Sequence, residues 1–501
     1  MRTYGDIGNE GGHFIPTFDK GYVGFCYKDY NAPNPNTDML LIKTDSTGDT
    51  LWTRIFQGNN GCSGPWDFCQ LADSGFLLTG TVIDSSFSQP LQSVVIRTDK
   101  NGDTLWTIGG VGSGTAFPTS DGGFAVYSAF NLTKFNQNRT FQWKKTYLNS
   151  GTGSGRAFQT TDGGYLLYGE TSTYSVGGPT DNDVYIVKTD SFGIVQWAKA
   201  YGGTSPEYSG MIQQTFAGDY VVASSTQSFG AGSDDVLLMK LDANGDTLWV
   251  RTMGGSFNER IGSVQQTYGV LGYVVTGTTP GLSPDDTTNW GNEHAFMLKV
   301  DYNGGFLWGM KYGIGPNDHG GRVYRTYDNG FIYSGFTGSW GQGLTDAWLI
   351  KTDALGDDGC YAHSTSPTVT SPTVTISQGS FSFASSTVVP YYVPVKTIYS
   401  TQVTSFTVCT NIPSGISVNS AVTDELKIFP VPTQDYLYVD AGQKRIGMEI
   451  RVFNFVGQLI SSKKINQPVV PIDLSSFSAG IYLIVIWDGM KNSSRAKFIK
   501  Q

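Results

Sequence analysis

The chain has 501 residues, of which 39% are hydrophobic, 13% aromatic and 15% charged, with 64 glycines and a formal net charge of −9. The acidic balance and the lack of a long basic run exclude a typical nucleic-acid-binding protein. No apolar run is long enough to form a transmembrane helix. The composition is typical of a globular chain of short strands and tight turns, long enough for two or three domains.

Four short phrases recur in a fixed order through residues 1–360. In one copy, residues 154–204, they read SGRAFQTTDGG, YLLYGETS, NDVYIVKTD and IVQWAKAYGG. Each phrase is rich in β-branched and aromatic residues and is bounded by Gly, Asp or Asn, which predicts four strands per unit. A Gly-aromatic pair (Asp-Tyr in the fifth copy) marks the first turn of seven copies, 41 to 58 residues apart. Residues 1–360 are therefore predicted to form an all-β fold, a seven-bladed β-propeller.

The seventh copy lacks a fourth strand. Six copies mark that strand with a tryptophan: Trp52, Trp106, Trp143, Trp197, Trp249 and Trp308. The seventh copy stops at KTDALGDDGC, whereas the chain begins with MRTYGD, which reads like the end of such a strand. We therefore expect residues 1–6 to complete the last blade and close the ring, which removes two exposed sheet edges.

The phrase KLDANGDTLW at residues 240–249 has near-copies in other units. Asn244 and Gly245 suit the positive φ angles of a tight turn between the third and fourth strands. Asp242, Asn244 and Asp246 alternate like the start of a calcium loop, but the glycine comes too early and a strand follows at once. We interpret the phrase as a turn that is repeated because the blade is repeated.

Two further segments follow the propeller. Residues 361–423 are dominated by Ser, Thr, Val and Pro, which predicts a β-rich linker or small module with edge strands; a disordered stalk is the alternative. Residues 424–501 contain several strand-like runs and no helical period, which predicts a small Ig-like β-sandwich.

The last segment resembles a known family. LKIFPVPTQDYLYVD, RVFNFVGQLI, IDLSSFSAGIYLIVI and the terminal KFIKQ resemble, in order and position, the type A C-terminal sorting domain of type IX secretion cargo from Bacteroidetes-type bacteria. Val431 stands where that family usually has Asn. The looser KTD…GDTLW…YGG repeats resemble propeller repeats of secreted proteins from the same bacteria.

The resemblance implies Sec export, passage through the type IX secretion translocon, and release or attachment at the outer-membrane surface. It assigns the sorting signal to Pro430, Pro432, Gly457, Gln458, Gly480, Tyr482 and Lys500. The alternative is that the glycines only serve turns and Tyr482 only fills the core. Residues 1–30 lack the basic start and apolar core of a Sec signal peptide, so we expect the leader to be removed or truncated in this sequence.

The five cysteines predict up to two disulfides. Cys62 with Cys69 and Cys360 with Cys409 could pair in an oxidising compartment, and free buried thiols are the alternative. No nucleophile, metal or phosphate-binding motif occurs, so we predict no enzyme activity and no cofactor. His294 and His319, with Glu293 and Asp318 beside them, are a weak candidate for a metal or catalytic group.

Candidate ligand-binding residues fall in two groups. One position recurs in every repeat, directly before the Thr (or its equivalent) that ends the first strand, and it includes Gln159, Gln214, Gln266 and Arg325. These side chains would bind a sugar or peptide, or would only line a hydrated channel. Trp66, Trp290 and Trp340 fall in loops, where an exposed indole stacks on sugars or anchors an interface and a packed one does neither.

Three turns carry a candidate modification. Asp-Thr-Leu occurs around Thr50, Thr104 and Thr247, and resembles the sites that Bacteroidetes-type bacteria O-glycosylate. The alternative is that Asp and Thr merely favour this turn.

These observations favour an exported, non-enzymatic binding or structural module, with a glycan or another envelope protein as ligand. One alternative is a secreted polysaccharide lyase or hydrolase with its site at the channel mouth, which a His/Tyr/Arg group on one face would favour. The other is a self-assembling surface-layer or filament protein, a homo-oligomer joined by long strands from residues 361–423.

Overall fold

The computed structural model describes the chain except residues 6–8, 30–36, 59–61, 84–90, 113, 149–154, 179, 268–271, 283–292, 315–316, 342–344, 361, 379–383, 386–395, 401–403, 408–426, 430–435, 441–444, 455–458, 476, 478–479, 488–491 and 501. The described residues form 41 strands in antiparallel sheets. Within these ranges, no helix is long and apolar enough to cross a lipid bilayer.

The predicted seven-bladed propeller is confirmed. In each blade the chain runs from the innermost strand outwards. Blades 1 to 3 contain β2 (Asn9–Pro16), β3 (Tyr22–Asp29), β4 (Thr37–Thr44) and β5 (Thr50–Gln57); β6 (Cys62–Gln70), β7 (Phe76–Ile83), β8 (Leu91–Thr98) and β9 (Thr104–Gly109); and β10 (Thr115–Pro118), β11 (Phe124–Ser128), β12 (Asn131–Phe135) and β13 (Phe141–Thr146).

Blades 4 to 6 contain β14 (Gly155–Gln159), β15 (Tyr165–Thr171), β16 (Asp183–Thr189) and β17 (Val195–Gly202); β18 (Glu207–Gln214), β19 (Tyr220–Thr226), β20 (Asp235–Leu241) and β21 (Thr247–Gly254); and β22 (Arg260–Thr267), β23 (Gly272–Thr279), β24 (His294–Asp301) and β25 (Phe306–Tyr312). Blade 7 contains β26 (Asp318–Arg325), β27 (Phe331–Thr337) and β28 (Asp346–Thr352), followed by β1 (Arg2–Gly5) from the N-terminus.

The N-terminal strand closes the ring. Thr3 of β1 lies opposite Trp348 of β28 in an antiparallel pairing, so β1 is the fourth strand of blade 7. The innermost strands contact their neighbours around the ring, including β2 of blade 1 with β26 of blade 7. Blade 7 is therefore built from both ends of the repeat region, which ties the first residues to the last repeat.

The repeated phrase forms a turn held by the preceding blade. Asp242 Oδ1 accepts hydrogen bonds from two backbone N–H groups of the turn, each at 2.8 Å. Gly245 has a φ of 78°, and a Cβ there would lie 2.9 Å from the Trp197 ring of blade 4. The Tyr201 hydroxyl of blade 4 donates to the Gly245 carbonyl at 2.7 Å. The phrase recurs because each such turn must accept the aromatic side chains of a neighbour.

The Ser/Thr-rich segment wraps the outside of the propeller, and we call residues 363–407 the belt. Each of its strands extends the outer edge of a blade: β29 (His363–Ser364) pairs with β25, β30 (Thr368–Thr370) with β21, β31 (Thr375–Gln378) with β17, β32 (Ala384–Ser385) with β13, β33 (Lys396–Ser400) with β5 and β34 (Thr404–Thr407) with β1. The described belt strands therefore meet blades 6, 5, 4, 3, 1 and 7, so the belt runs around the closed ring in the direction opposite to the blades. Its described strands pair within their own chain and cover outer edges that would otherwise be open to a partner.

The C-terminal unit is the predicted β-sandwich. One sheet contains β35 (Lys427–Phe429), β36 (Tyr436–Asp440) and β39 (Val469–Asp473), and the other contains β38 (Leu459–Lys464), β37 (Glu449–Asn454), β40 (Gly480–Trp487) and β41 (Asn492–Lys500). Apolar side chains from both sheets, such as Leu437 and Ile484, form one buried cluster. Alternate residues of β36, β37, β39 and β40 therefore face a shared core.

Candidate functional site

Charged side chains from four blades meet inside the propeller channel. His13, Asp67, Arg156 and Arg322 lie on the innermost strands of blades 1, 2, 4 and 7, and we call them the channel cluster. Asp67 Oδ2 accepts a hydrogen bond from Arg156 Nη1 at 2.6 Å, and its Oδ1 lies 2.7 Å from Arg322 Nη2. His13 Nε2 lies 3.4 Å from the same Oδ1 atom. One carboxylate is thus shared by three partners from different blades.

The environment fixes the charge of each member. Burial alone would raise the pKa of Asp67, but the Arg156 and Arg322 guanidiniums outweigh it and hold that pKa well below its ordinary value. Burial, reinforced by Arg322, lowers the pKa of His13 to about 3. His13 is therefore neutral at physiological pH. Two guanidiniums face one carboxylate, so the cluster keeps one uncompensated positive charge.

A cavity of about 380 Å³ opens beside the channel cluster. His13, Arg156 and Arg322 form part of its wall, and Tyr27, Trp66, His319 and Phe336 form another part. Glycines of blades 1, 6 and 7 supply much of the remaining lining. At Gly262 a Cβ would lie 2.3 Å from the Gly321 carbonyl oxygen, so the glycines allow the inner strands to approach closely.

β-Bulges in the innermost strands shape this wall. The register shifts at Gly210 in blade 5 and Gly262 in blade 6, and comparable shifts in blades 2 and 7 include Trp66 and Arg322. The bulged residue of blade 2 is thus a tryptophan instead of a glycine. Trp66 is 50% exposed, and its indole N–H donates to Thr81 Oγ1 at 2.7 Å. Bulges commonly redirect a side chain next to a site, and here one places an indole at the rim.

His319 on the cavity wall has a carboxylate partner, Glu293. His319 Nε2 is 2.8 Å from Glu293 Oε2, and the imidazole stacks on Phe336 with ring centroids 4.3 Å apart. Burial lowers the pKa of His319 despite the neighbouring Glu293 carboxylate. The sequence had placed His319 and Glu293 in one candidate group, and the structure joins these two. Among the described residues, no group of three or more His, Cys, Asp or Glu could hold a metal ion.

The glutamine row joins neighbouring blades. The side-chain carbonyls of Gln159 and Gln214 accept hydrogen bonds from backbone N–H groups in the first turn of the preceding blade, at Ser120 (2.7 Å) and Thr161 (2.9 Å). Gln266 is 3% exposed, and Arg325 ends β26. Gln159 and Gln214 therefore form hydrogen bonds between blades, which a hydrated channel lining does not require. A ligand role for these four residues stays a prediction.

Sequence reasoning missed the channel cluster, which lies three residues before that row. Because side chains alternate along a strand, positions three apart face opposite sides. The equivalent row reads His13, Asp67, Thr115, Arg156, Met211, Ser263 and Arg322. Residues of opposite charge at one position of the repeated inner strand were the signal in the sequence that could have predicted the channel cluster.

The three tryptophans predicted to lie in loops differ in their surroundings, and Trp66 lies in strand β6 instead of a loop. Trp66 lines the cavity, as a ligand role requires. Trp340 packs on the buried Trp348 with ring centroids 5.4 Å apart. This contact fits the alternative interpretation, in which the indole is packed and binds no ligand. Trp290 lies outside the described residues.

The predicted disulfide between Cys62 and Cys69 is wrong. Both thiols are free, since the two residues lie at opposite ends of β6 rather than in a loop. An extended strand advances about 3.3 Å per residue, so their Cα atoms are about 20 Å apart, far beyond disulfide reach. Cys360 is disulfide-bonded, and its expected partner Cys409 lies outside the described residues.

The candidate glycosylation sites Thr50, Thr104 and Thr247 are the first residues of β5, β9 and β21, directly after the turns. Thr50 Oγ1 and Thr247 Oγ1 are buried, and Thr104 is half-buried. Buried hydroxyls are poor acceptors for a sugar in the folded state. Modification of these three residues stays a prediction.

Part of the sorting signal can be placed. Tyr482 is buried against Phe477 with ring centroids 5.2 Å apart, and Gly480 lies opposite Lys500 between β40 and β41. Both observations fit a structural role as well as a signalling one. Pro430, Pro432, Gly457 and Gln458 lie outside the described residues.

Residues 427–501 match the secretion system C-terminal sorting domain family. The C-terminal unit is therefore the sorting domain of a type IX secretion cargo protein, and it directs the chain to export through that secretion system. The matched range includes the predicted signal residues, whose individual roles stay a prediction.

Two solved structures are similar to the chain at low identity. One is PorZ, an essential bacterial surface component of the type IX secretion system of Porphyromonas gingivalis: 8% identity, TM-score 0.22, covering 100% of this chain and 99% of that one. The other is Bap1, a biofilm matrix protein of V. cholerae: 9% identity, TM-score 0.25, covering 99% of this chain and 81% of that one. No curated protein is significantly similar in sequence.

Proposed function

We propose that this cargo protein is a non-enzymatic binding module at the cell surface or in the medium, with its ligand site in the cavity beside the channel cluster. Trp66 carries the proposal. Its indole N–H is already bonded to Thr81, so the half-exposed ring face is what it offers to a ligand. Such a face stacks on a sugar ring or anchors a protein partner. The ligand is a glycan or another envelope protein.

The test is a glycan-array and envelope-protein binding screen of the full-length chain. Trp66→Ala is expected to weaken binding about tenfold or more, because the indole supplies the stacking surface. Phe192→Ala is the matched control, since Phe192 is 70% exposed on a turn of blade 4 that is not part of the cavity. Equal binding by Trp66→Ala and the unmodified chain, or no binding to any partner in the screen, contradicts the proposal.

The same cavity favours a second candidate function, a polysaccharide lyase. Tyr27, Arg156 and His319 line one cavity, which is the His/Tyr/Arg grouping that such an enzyme would need. A lyase places a base near the proton to be removed and a cation near the sugar's carboxylate. Incubation with acidic polysaccharides would then yield unsaturated, ultraviolet-absorbing ends, lost in His319→Ala. Binding without product supports the non-enzymatic module.

We also propose that the protein works outside the cell. Fractionation of the native culture with intact-mass measurement tests this. Loss of the matched residues 427–501, with the protein in the surface wash or medium, is the expected result. A full-length chain in the cytoplasm contradicts it.

A further inference from the structure

We infer that the cavity binds an anionic sugar, with the charged group on Arg156 and the sugar ring on Trp66. The inference rests on the proposed function and adds the ligand class.

The charges that line the cavity have one sign. Arg156 and Arg322 are on the wall, whereas Asp67, which they share, is not among the lining residues. His13 is neutral, burial also lowers the pKa of His319, and Glu293 beside His319 is not among the lining residues. Arg260, whose side chain is 65% exposed, lies 3.7 Å from the same Glu293 carboxylate. An anion entering the cavity therefore meets a net positive wall on a chain whose net charge is −9.

Arg156 has donors left for a ligand. A guanidinium has five N–H donors in a planar fork that matches a carboxylate or sulfate. In the part of the chain that the structure describes, the hydrogen bond found for Arg156 is the one to Asp67. Its side chain is 27% exposed, whereas that of Arg322 is 9% exposed. Arg156 is thus held in place by Asp67 and remains the more accessible of the two cations.

The aromatic wall selects a ring beside the charge. Trp66 comes from blade 2 and Arg156 from blade 4, and both line the same cavity. An indole face stacks on a pyranose, and a guanidinium binds an acidic substituent. Together they fit a sugar that carries its own anion better than a neutral sugar or a small inorganic anion.

The test compares charged and neutral forms of one probe. The full-length protein is titrated by calorimetry with an oligogalacturonide and, separately, with the methyl ester of that oligogalacturonide. The ester has the same sugar rings but no negative charge. We expect the ester to bind about tenfold or more weakly, and Arg156→Gln to reduce binding of the acid to the level of the ester. Arg251→Gln, on the outer strand β21, makes the same change of charge away from the cavity and is expected to bind normally. A sulfated oligosaccharide, titrated in parallel, distinguishes sulfate from carboxylate as the anion.

Each outcome decides the inference. Equal binding of acid and ester, with loss in Trp66→Ala, overturns the anionic ligand and leaves the binding module intact. No binding of either anionic probe overturns the inference, and the array screen then decides the proposed function separately. If Arg156→Gln does not fold, the comparison of acid and ester on the unmodified protein remains decisive, together with a fall in affinity as salt rises.

Discussion

Asp67 Oδ2 accepts a hydrogen bond from Arg156 Nη1 at 2.6 Å, which joins blade 2 directly to blade 4 across the channel. Most contacts in a propeller are made between adjacent blades, so this bond skips blade 3. Arg322 of blade 7 reaches the same carboxylate. The channel cluster therefore stabilises the ring from within while it forms the wall of the cavity.

Removing the shared carboxylate should destabilise the propeller strongly. Asp67→Asn leaves Arg156 and Arg322 close together without a compensating charge, and breaking a buried ion pair in this way costs about 3–5 kcal/mol. Urea unfolding measures the change. The control is Asp246→Asn, whose partner Lys199 is equally close at 2.7 Å but whose own side chain is 67% exposed; we expect a loss below about 1 kcal/mol. Equal losses in the two variants would contradict the role of the cluster.

Stability should fall as the pH rises towards 8. Asp235 and Glu259 meet at Gly254, where a Cβ would lie 1.9 Å from Asp235 Oδ1 and 2.4 Å from Glu259 Oε2. Burial, reinforced by Asp235, raises the pKa of Glu259 to about 8. The folded state thus keeps a proton that the unfolded chain releases above about pH 4.3, so this contribution is complete in acid and is lost as the pH rises through 8.

Glu259→Gln tests this dependence. The amide cannot ionise, so the free energy of unfolding should rise at pH 8.5 by a few kcal/mol and change little at pH 4. Urea midpoints at the two pH values measure it. Asp183 and Glu207 form the equivalent pair between blades 4 and 5, and burial raises the pKa of Asp183 to about 7. Asp183→Asn should therefore change the pH dependence of stability in the same direction as Glu259→Gln. If the free energy of unfolding of Glu259→Gln falls between pH 4 and pH 8.5 as much as that of the unmodified protein, ionisation of Glu259 is not the cause.

Three cysteines should react without reductant once the chain is unfolded. Cys26, Cys62 and Cys69 are free thiols, and burial raises the pKa of Cys62 and of Cys69 to about 12. Alkylation followed by mass spectrometry should therefore add three labels in denaturant, and none to Cys26 or Cys62 in the folded protein. A single label in denaturant would show that Cys62 and Cys69 form a disulfide after all, which would contradict the structure.

The disulfide at Cys360 should stabilise the belt. Cys360 lies just before β29, where the belt begins, and removing a native disulfide typically costs about 2–5 kcal/mol. Cys360→Ser should lower the unfolding temperature and increase hydrogen exchange in β29 before the inner strands are affected. Cys62→Ser is the control for loss of a sulfur atom, since Cys62 forms no disulfide. Unchanged exchange in the belt would show that its strands hold without the covalent bond.

The blades were predictable because their determinants are local. Turn glycines, strand alternation and the Lys-Thr-Asp phrase all lie within one blade, so the sequence of a single repeat contains the geometry. Lys188, for example, donates to Asp162 at 2.8 Å within one blade, and both belong to the repeated phrases.

The site and the belt were not predictable because their determinants are distant. Asp67 and Arg156 are 89 residues apart, and the sequence does not show that their side chains meet. The Ser/Thr alternation of residues 361–423 indicated edge strands but did not indicate which strands of the propeller they pair with. The Cys62–Cys69 disulfide was predicted wrongly because the sequence did not show that both residues lie on one strand, which continues through register shifts between Cys62 and Gly64 and between Pro65 and Asp67.

The belt also sets an order of assembly. Each of its strands needs the completed outer strand of a blade as its template, and the last, β34, pairs with β1, which itself depends on blade 7. β34 can therefore pair only where β1 has completed blade 7, so the last described strand of the belt depends on closure of the ring. Among the described residues, the belt covers the outer edges of six of the seven blades, and a blade without its belt strand would leave that edge open to another chain.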